Sequence, residues 1–233
     1  MHVDDAGMDS LSPEELARTS NVVGQRKHPG PHPPERVVVT LDDGRQLLVL
    51  RPFFPEDRAT FEQAILDSQA LLAGTLTWHD ADGRQFPDTS WDAIAACVAD
   101  DYSTMPVWDN DTGYFWKIID ANTGMFLGSI DVWPLEHGGY NLGYWRAAYD
   151  EARGIMLPVA RELADACFSH AGIDSMILTI NDTNQASIAI ARGLGAQCED
   201  PDLQAPDVPA GIRKTLWRFG PHELERARAW IRS

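Results

Sequence analysis

A chain of 233 residues with 44% apolar content has material for one sizeable core plus extensions. Its 35 acidic side chains against 19 basic ones give a formal charge of −16, a field that repels nucleic acid and anionic membranes and favours cationic ligands. The three cysteines, Cys97, Cys167 and Cys198, are widely spaced and odd in number, which argues against a disulfide framework or a zinc site.

No run of about 18 apolar residues occurs, so no transmembrane helix is expected. The opening MHVDDAGMDS lacks the apolar stretch of a secretory signal. The expectation is a cytoplasmic protein without a nucleic-acid or membrane partner.

Residues 1–35 read as an extension: Ser12 is a candidate cap of a short LSPEELAR helix, followed by the linker HPGPHPP. His28 and His32 in that linker have no third ligand nearby and read as linker residues, so no metal is expected. Residues 36–220 form the main domain and 221–233 a C-terminal helix.

Arg36–Leu41 and Arg45–Phe53 read as strands around the Asp42-Asp43-Gly44 turn. Pro55-Glu56-Asp57 opens a helix with Phe61, Ile65, Leu66 and Leu72 on one side. Residues 73–90 look like an irregular insertion, and Ser90 caps a second helix bearing Trp91, Ile94 and Val98. Tyr114–Ile119 and Met125–Trp133 are strands joined by a turn at Asp120–Gly124, and Tyr140–Ala147 follows as a third. Ser175–Asn181 is a buried type of strand, with a short helix from about Thr183. After Gly195 come a Pro-rich segment, the strand RKTLWRF, and a helix aligning Leu224, Ala227 and Ile231. A helix between two such strands implies a parallel pair in a mixed sheet, hence a mixed α/β fold.

The most informative stretch is NLGYWRAAYDEARGIMLPVARELADACF, from Asn141 to Phe168. It reads as strand, short loop through Arg153-Gly154, then an amphipathic helix. The unpaired N–H groups at such a helix start, with the helix dipole, favour a phosphate. The economical ligand is a nucleotide-type cofactor held by its pyrophosphate. Met156, Val159, Leu163, Ala166 and Cys167 recur at helical spacing and would bury that helix against the sheet, which makes Cys167 a core residue. Pro158 requires a place in the first helical turn. Arg192-Gly193-Leu194-Gly195 contains a Gly-x-Gly, but it ends a helix and therefore reads as a C-cap.

These residues resemble the acetyl-coenzyme A signature of the GNAT superfamily of N-acetyltransferases, in its RimJ/RimL-like branch. Gly143-Tyr144-Trp145 closes the strand and Ala152-Arg153-Gly154-Ile155-Met156 occupies the loop, while Asn184-Gln185-Ala186-Ser187-Ile188 through Leu194-Gly195 is similar to the second signature. The resemblance covers roughly Leu47 to Gly195. It implies a central twisted mixed β-sheet flanked by helices, with acetyl-CoA as cosubstrate. It also implies direct transfer of the acetyl group to a primary amine of a small molecule or a peptide N-terminus. The cofactor-binding residues it indicates are Tyr144, Trp145, Arg146, Ala152, Arg153, Gly154, Ile155, Met156, Asn184 and Ser187, with Arg153 adding a charge-assisted contact. The resemblance allows a homodimer, and the charge favours a cationic acceptor.

The chain departs from the family pattern. Ala152 replaces the first loop glycine, and Tyr149 stands where Gln or Arg is usual. Asn141 replaces a common glutamate, and Ala191 a common tyrosine that protonates the departing thiolate. Asp131, His137 and Tyr144 are the substitute catalytic candidates, with Glu136, Tyr140 or a water chain as further options. A main-chain N–H near Tyr144 and Trp145 is expected to polarise the carbonyl. Two other readings stay open. One is a GNAT fold using another acyl-CoA in a specialised biosynthetic pathway. The other is a non-catalytic CoA-binding or interaction protein.

Overall fold

The computed structural model describes residues 33–50, 57–72, 114–135, 138–203 and 213–231. The first hairpin is β1 (Arg36–Thr40) with β2 (Gln46–Leu50), closed by Gly44 at φ +86°, a left-handed turn conformation that suits glycine. Helix α1 (Asp57–Asp67) and the single turn α2 (Gln69–Leu72) follow, and the meander β3 (Tyr114–Asp120), β4 (Phe126–Pro134) and β5 (Tyr140–Arg146) extends the sheet. Helix α3 (Met156–His170) crosses to β6 (Met176–Asn181), and α4 (Gln185–Gly193) leads to β7 (Gln197–Leu203), β8 (Lys214–Phe219) and α5 (Pro221–Ile231).

The strands form one sheet in the order β1-β2-β3-β4-β5-β6-β8-β7. Every neighbouring pair is antiparallel except β5 and β6, which are parallel as a crossover helix requires. The expected mixed sheet is therefore observed. Residues of β3 and β4 are buried almost throughout, which explains their apolar runs.

The helices pack by the stripes their sequences carry. In α1, Phe61 is fully buried, and its ring meets those of Phe126 and Trp145 edge-on at 5.5 Å. Lys117, buried on β3, pairs with Asp57 at 2.6 Å and holds the start of α1 to the sheet. In α3, Met156, Val159, Leu163 and Cys167 are buried as expected, joined by Ala160 and Ala164, whereas Ala166 is only half-buried. Pro158 is the third residue of that helix, where its missing N–H leaves no ladder bond unmade. Gly195, at φ +78°, closes α4 in a two-bond C-cap: its N–H donates to the Arg192 carbonyl and that of Ala196 to Ala191. The Gly-x-Gly is thus a helix stop.

One element departs from the sequence reading. The stretch after Gly195 is not simply Pro-rich, because Gln197–Leu203 adds β7 at the sheet edge. Its exposed acidic composition and Pro201 hide the strand from a propensity reading. Edge position tolerates both, and its register against β8 shifts twice. The expected helix around Trp91, the insertion at 73–90, the LSPEELAR segment and His137 lie outside the described residues.

Three long-range hydrogen bonds fix the loop that follows β5. The Ala148 N–H donates to the Ser68 Oγ at 2.8 Å, and the Tyr149 hydroxyl donates to Asp67 at 2.8 Å. The Arg45 guanidinium donates to the Glu151 carbonyl at 3.0 Å. Ser68 is fully buried at the junction of α1 and α2, so its hydroxyl is a fixed acceptor for the more exposed Ala148. Ser68→Ala should lower stability by about 0.5–1.5 kcal/mol, the net worth of one hydrogen bond. Urea unfolding measures it; a midpoint equal to that of the parent chain would contradict the anchoring role.

Candidate active site

The site begins where two strands stop pairing. β5 and β6 are in register only at Tyr140↔Met176 and Asn141↔Ile177, although β5 runs on to Arg146 and β6 to Asn181. Each strand stays paired on its outer side, β5 with β4 and β6 with β8, so the divergence opens a cleft between two fixed edges. The Ala147 N–H donates to the Leu127 carbonyl. Antiparallel alternation from that bond turns the backbone groups of Trp145 and Gly143 towards β4 and those of Tyr144 and Arg146 towards the cleft. Of Tyr144 and Trp145, the pair near which a carbonyl-polarising N–H was expected, Tyr144 is the one whose N–H faces the cleft.

Gly143 has a local reason to be glycine. A Cβ there would collide with the Asp131 carboxylate, its cross-strand partner, which is 5% exposed. The Gly-Tyr-Trp triplet lets a buried carboxylate lie across the strand that lines the cleft.

Past β5, a 3₁₀ turn at Asp150–Ala152 leads through Gly154, at φ +74°, into α3. Its N-cap residue, Ile155, supplies no capping side chain, so the helix start offers its N–H groups to a ligand. A Cβ on Gly154 would meet no other atom within 4 Å, so the backbone there is open to close approach.

Two cavities share this cleft. The first, about 300 Å³, is lined by Tyr144, Trp145, Arg146, Gly154, Met156, Asn184 and Ser187, with apolar walls from Leu71, Leu72, Leu157 and Ile190. The second, about 280 Å³, is lined by Trp133, Asn141, Gly143, Thr179, Asn181 and Lys214 among others. Tyr144, Asn184 and Ser187 line both, so the cavities meet at these side chains.

The polar groups at the junction are poised for a ligand. The Tyr144 hydroxyl and Trp145 Nε1 are buried without a hydrogen-bond partner among the described residues, and groups in that state call for a water or a ligand. Burial pushes the Tyr144 phenol up to about 12, opposed by the neighbouring Ser187 hydroxyl. Burial and the Asp67 hydrogen bond and charge likewise raise Tyr149 to about 12. Asn184 caps α4 by accepting the Ser187 N–H at 3.1 Å through Oδ1. Asn184 also lines both cavities.

Seven of the ten cofactor-binding residues expected from the sequence, Tyr144, Trp145, Arg146, Gly154, Met156, Asn184 and Ser187, therefore line the first cavity. Ala152 and Ile155 are fully buried and support the loop from below. Arg153 is exposed, and its guanidinium pairs with Asp150 at 3.0 Å. Asp131 lines neither cavity; it lies behind Gly143, which lines the second. Leu157 and Ile190, which line the first cavity, went unrecognised as site residues because an apolar helical stripe carries no mark of ligand contact.

A fold with a parallel strand pair splayed at its centre, an uncapped helix start and paired cavities defines an acyl-CoA-dependent transferase. A family model described as an acetyltransferase (GNAT) domain matches residues 48–197. The chain belongs to the GNAT acetyltransferase family. Among solved structures, Mycobacterium smegmatis RimJ in complex with a CoA-disulfide is 19% identical, with TM-score 0.69 over 87% of this chain and 96% of that one. The Salmonella typhimurium acetyl transferase that modifies the N-terminal serine of ribosomal protein L7/L12 is 16% identical, with TM-score 0.57 over 75% and 94%. The microcin C7 self-immunity acetyltransferase MccE, in complex with acetyl-CoA and AMP, is 13% identical, with TM-score 0.56 over 75% and 92%. No curated protein matches the sequence significantly. The fold, the enzyme class and acetyl-CoA as cosubstrate follow as the two signatures implied.

The double role of Asn184 can be separated. Asn184→Asp keeps the capping oxygen and should leave stability nearly unchanged, but it removes the N–H₂ donor and should weaken acetyl-CoA binding roughly tenfold. Asn184→Ala should weaken binding similarly and also cost about 1 kcal/mol of stability. Calorimetric titration and thermal melts measure the two effects; unaltered affinity in both variants would remove Asn184 from the cofactor site.

Proposed function

We propose that this protein transfers the acetyl group of acetyl-CoA directly to a primary amine, of a small molecule or a peptide N-terminus. The observation that carries the reading is the meeting of two cavities at Tyr144, Asn184 and Ser187. A donor in the first cavity and an acceptor in the second would bring thioester and amine together there, with no covalent enzyme intermediate needed. The unsatisfied polar atoms of Tyr144 and Trp145 and the open β5 edge fit an amide-bearing arm laid along the strand.

Acetyl-CoA supplies a thioester carbonyl open to attack. The Tyr144 N–H, facing the cleft, is placed to stabilise negative charge growing on that carbonyl oxygen. Tyr144 also offers its phenol to the departing sulfur. At about 12, that phenol is a far weaker acid than an ordinary thiol near 8.5, so it serves as a hydrogen-bond donor and not as a proton source. Asp131 is assigned the orienting of the amine's proton path from behind Gly143, with His137 as the further candidate.

The acceptor amine arrives protonated. The second cavity has no carboxylate among its described lining residues, and Lys214 is its charged group. Attraction of a cationic acceptor therefore rests on the overall charge of −16 and on Asp131. A peptide N-terminus is the favoured class, in line with the activity named for the Salmonella relative. A cytoplasmic setting suits Cys167 and Cys198, both free thiols, and no described helix is long and apolar enough to cross a membrane.

Thiol release from acetyl-CoA across a panel of peptide N-termini and small amines tests the reading. Release that depends on an amine supports it; tight CoA binding with no release for any amine would favour a non-catalytic binder. Tyr144→Phe should lower turnover about tenfold, the worth of one hydrogen bond, and leave the pH profile between 6 and 9 unchanged. Folding holds the phenol protonated: its contribution is complete below the free-phenol value near 10 and is lost only as pH rises towards 12. Loss of a basic limb below pH 10 in Tyr144→Phe would make the residue the proton donor after all.

A further inference from the structure

One charge lines the second cavity. Lys214 is its only charged residue among those described, on a chain whose acids outnumber its bases by 35 to 19. Its place follows from strand register. Trp133 lies opposite Asn141, Asn141 opposite Ile177, and Asn181 opposite Lys214. Opposed residues share a face and alternate residues return to it, so Trp133, Asn141, Thr179, Asn181 and Lys214 stand on one face of the sheet. The gap between β5 and β6 opens on that face, and the same cavity reaches Tyr144.

The basic residues along β8 are held differently. Arg213, just before the strand, pairs with Asp182 at 2.8 Å, and Arg218 pairs with Glu199 at 2.9 Å. Lys214 is half-buried and makes no ion pair with any described carboxylate. A partly desolvated ammonium favours an anion beside it. On the other side of the gap, Trp133 forms an aromatic wall, its ring stacked on that of Phe115 with centroids 6.4 Å apart. Between wall and cation, Asn141, Thr179 and Asn181 supply hydrogen-bonding groups.

We infer that Lys214 reads a carboxylate on the acceptor, so that the acceptor is an amine with an acidic group close to it. The inference rests on the proposed acetyl transfer with the acceptor in the second cavity. Neighbouring strands lie about 4.8 Å apart, a span that the four-carbon stem of a lysine crosses, so an ammonium borne on β8 serves a gap at the edge of β6. The amine goes to the junction at Tyr144, Asn184 and Ser187, and the carboxylate to Lys214. The overall charge of −16 repels anions at long range, but salt screens that field far more than it screens a contact pair at a half-buried site. Such an acceptor is a zwitterion: its ammonium meets the field of the protein, and its carboxylate meets the one cation of the cavity. Two sources supply this chemistry, the α-carboxylate of a free amino acid and an acidic side chain next to a peptide N-terminus.

The value of kcat/KM for thiol release, expressed per unprotonated amine, tests it on the full chain with two matched pairs of acceptors. One pair is serine and serinamide; the other is Ser-Asp-Ala-amide and Ser-Asn-Ala-amide. The acidic member should be preferred roughly tenfold or more in at least one pair, and the pair that responds names the source. Lys214→Ala should bring that ratio near one, Lys214→Arg should keep it, and Lys214→Glu should reverse it. A merely structural role would move both members of a pair together; a ratio unchanged in Lys214→Ala and Lys214→Glu would therefore overturn the assignment. Ratios near one in both pairs with the parent chain would overturn the acidic acceptor, without need of a variant, and leave acetyl transfer intact. No release with any acceptor, acidic or neutral, would overturn both readings.

Discussion

The structure depends on a failure of pairing. Two parallel strands in the middle of an eight-stranded sheet hold together for two residues and then part, while their outer neighbours keep each in place. An open strand edge inside a sheet carries backbone donors and acceptors that must be satisfied by something. Here the edge of β5 faces a cavity instead of a strand, and the fold leaves the fourth side of that cavity to α4. Nothing comparable is gained by simple packing. In the proposed function, the amide groups of the acetyl donor's arm pair with that edge.

Everything around the gap serves to keep it still. α1 is tied to β3 through Lys117 and Asp57 and presses Phe61 against Trp145, the residue next to the cleft-facing Tyr144. The loop that follows β5 is held by Ser68, Asp67 and Arg45, three side chains whose bonds all converge on it. Tyr149 stands where relatives usually carry Gln or Arg, and its hydroxyl is bound to Asp67, so the substitution reads as a loop anchor. Asn184 caps α4 through its side-chain oxygen and also lines both cavities.

The central sheet, the parallel pair and the loop–helix site were legible because they rest on patterns of fixed period: apolar runs, a Gly-containing loop, and an Asn-x-x-Ser helix start. The edge strand β7 was not, since a strand with a proline and three acidic residues has no signal beyond its partner β8. The catalytic groups were less legible still. Ala191, matching a tyrosine in relatives, is fully buried near the end of α4, so that position serves packing here. Asn141, matching a glutamate, lines the second cavity. Asp131 stood out as an aspartate within an apolar strand, but only the structure ties it to Gly143. The relation is a cross-strand one, invisible to any reading along the chain.

Amide hydrogen exchange on Tyr144, Arg146, Trp145 and Gly143, with and without acetyl-CoA, tests the central claim most directly. Trp145 and Gly143, bonded to β4, should be protected in both states. Tyr144 and Arg146 should exchange readily alone and slow markedly, on the order of tenfold or more, once acetyl-CoA completes the open edge. Tyr144 and Arg146 amides that are already protected without ligand, or unmoved by it, would contradict the account.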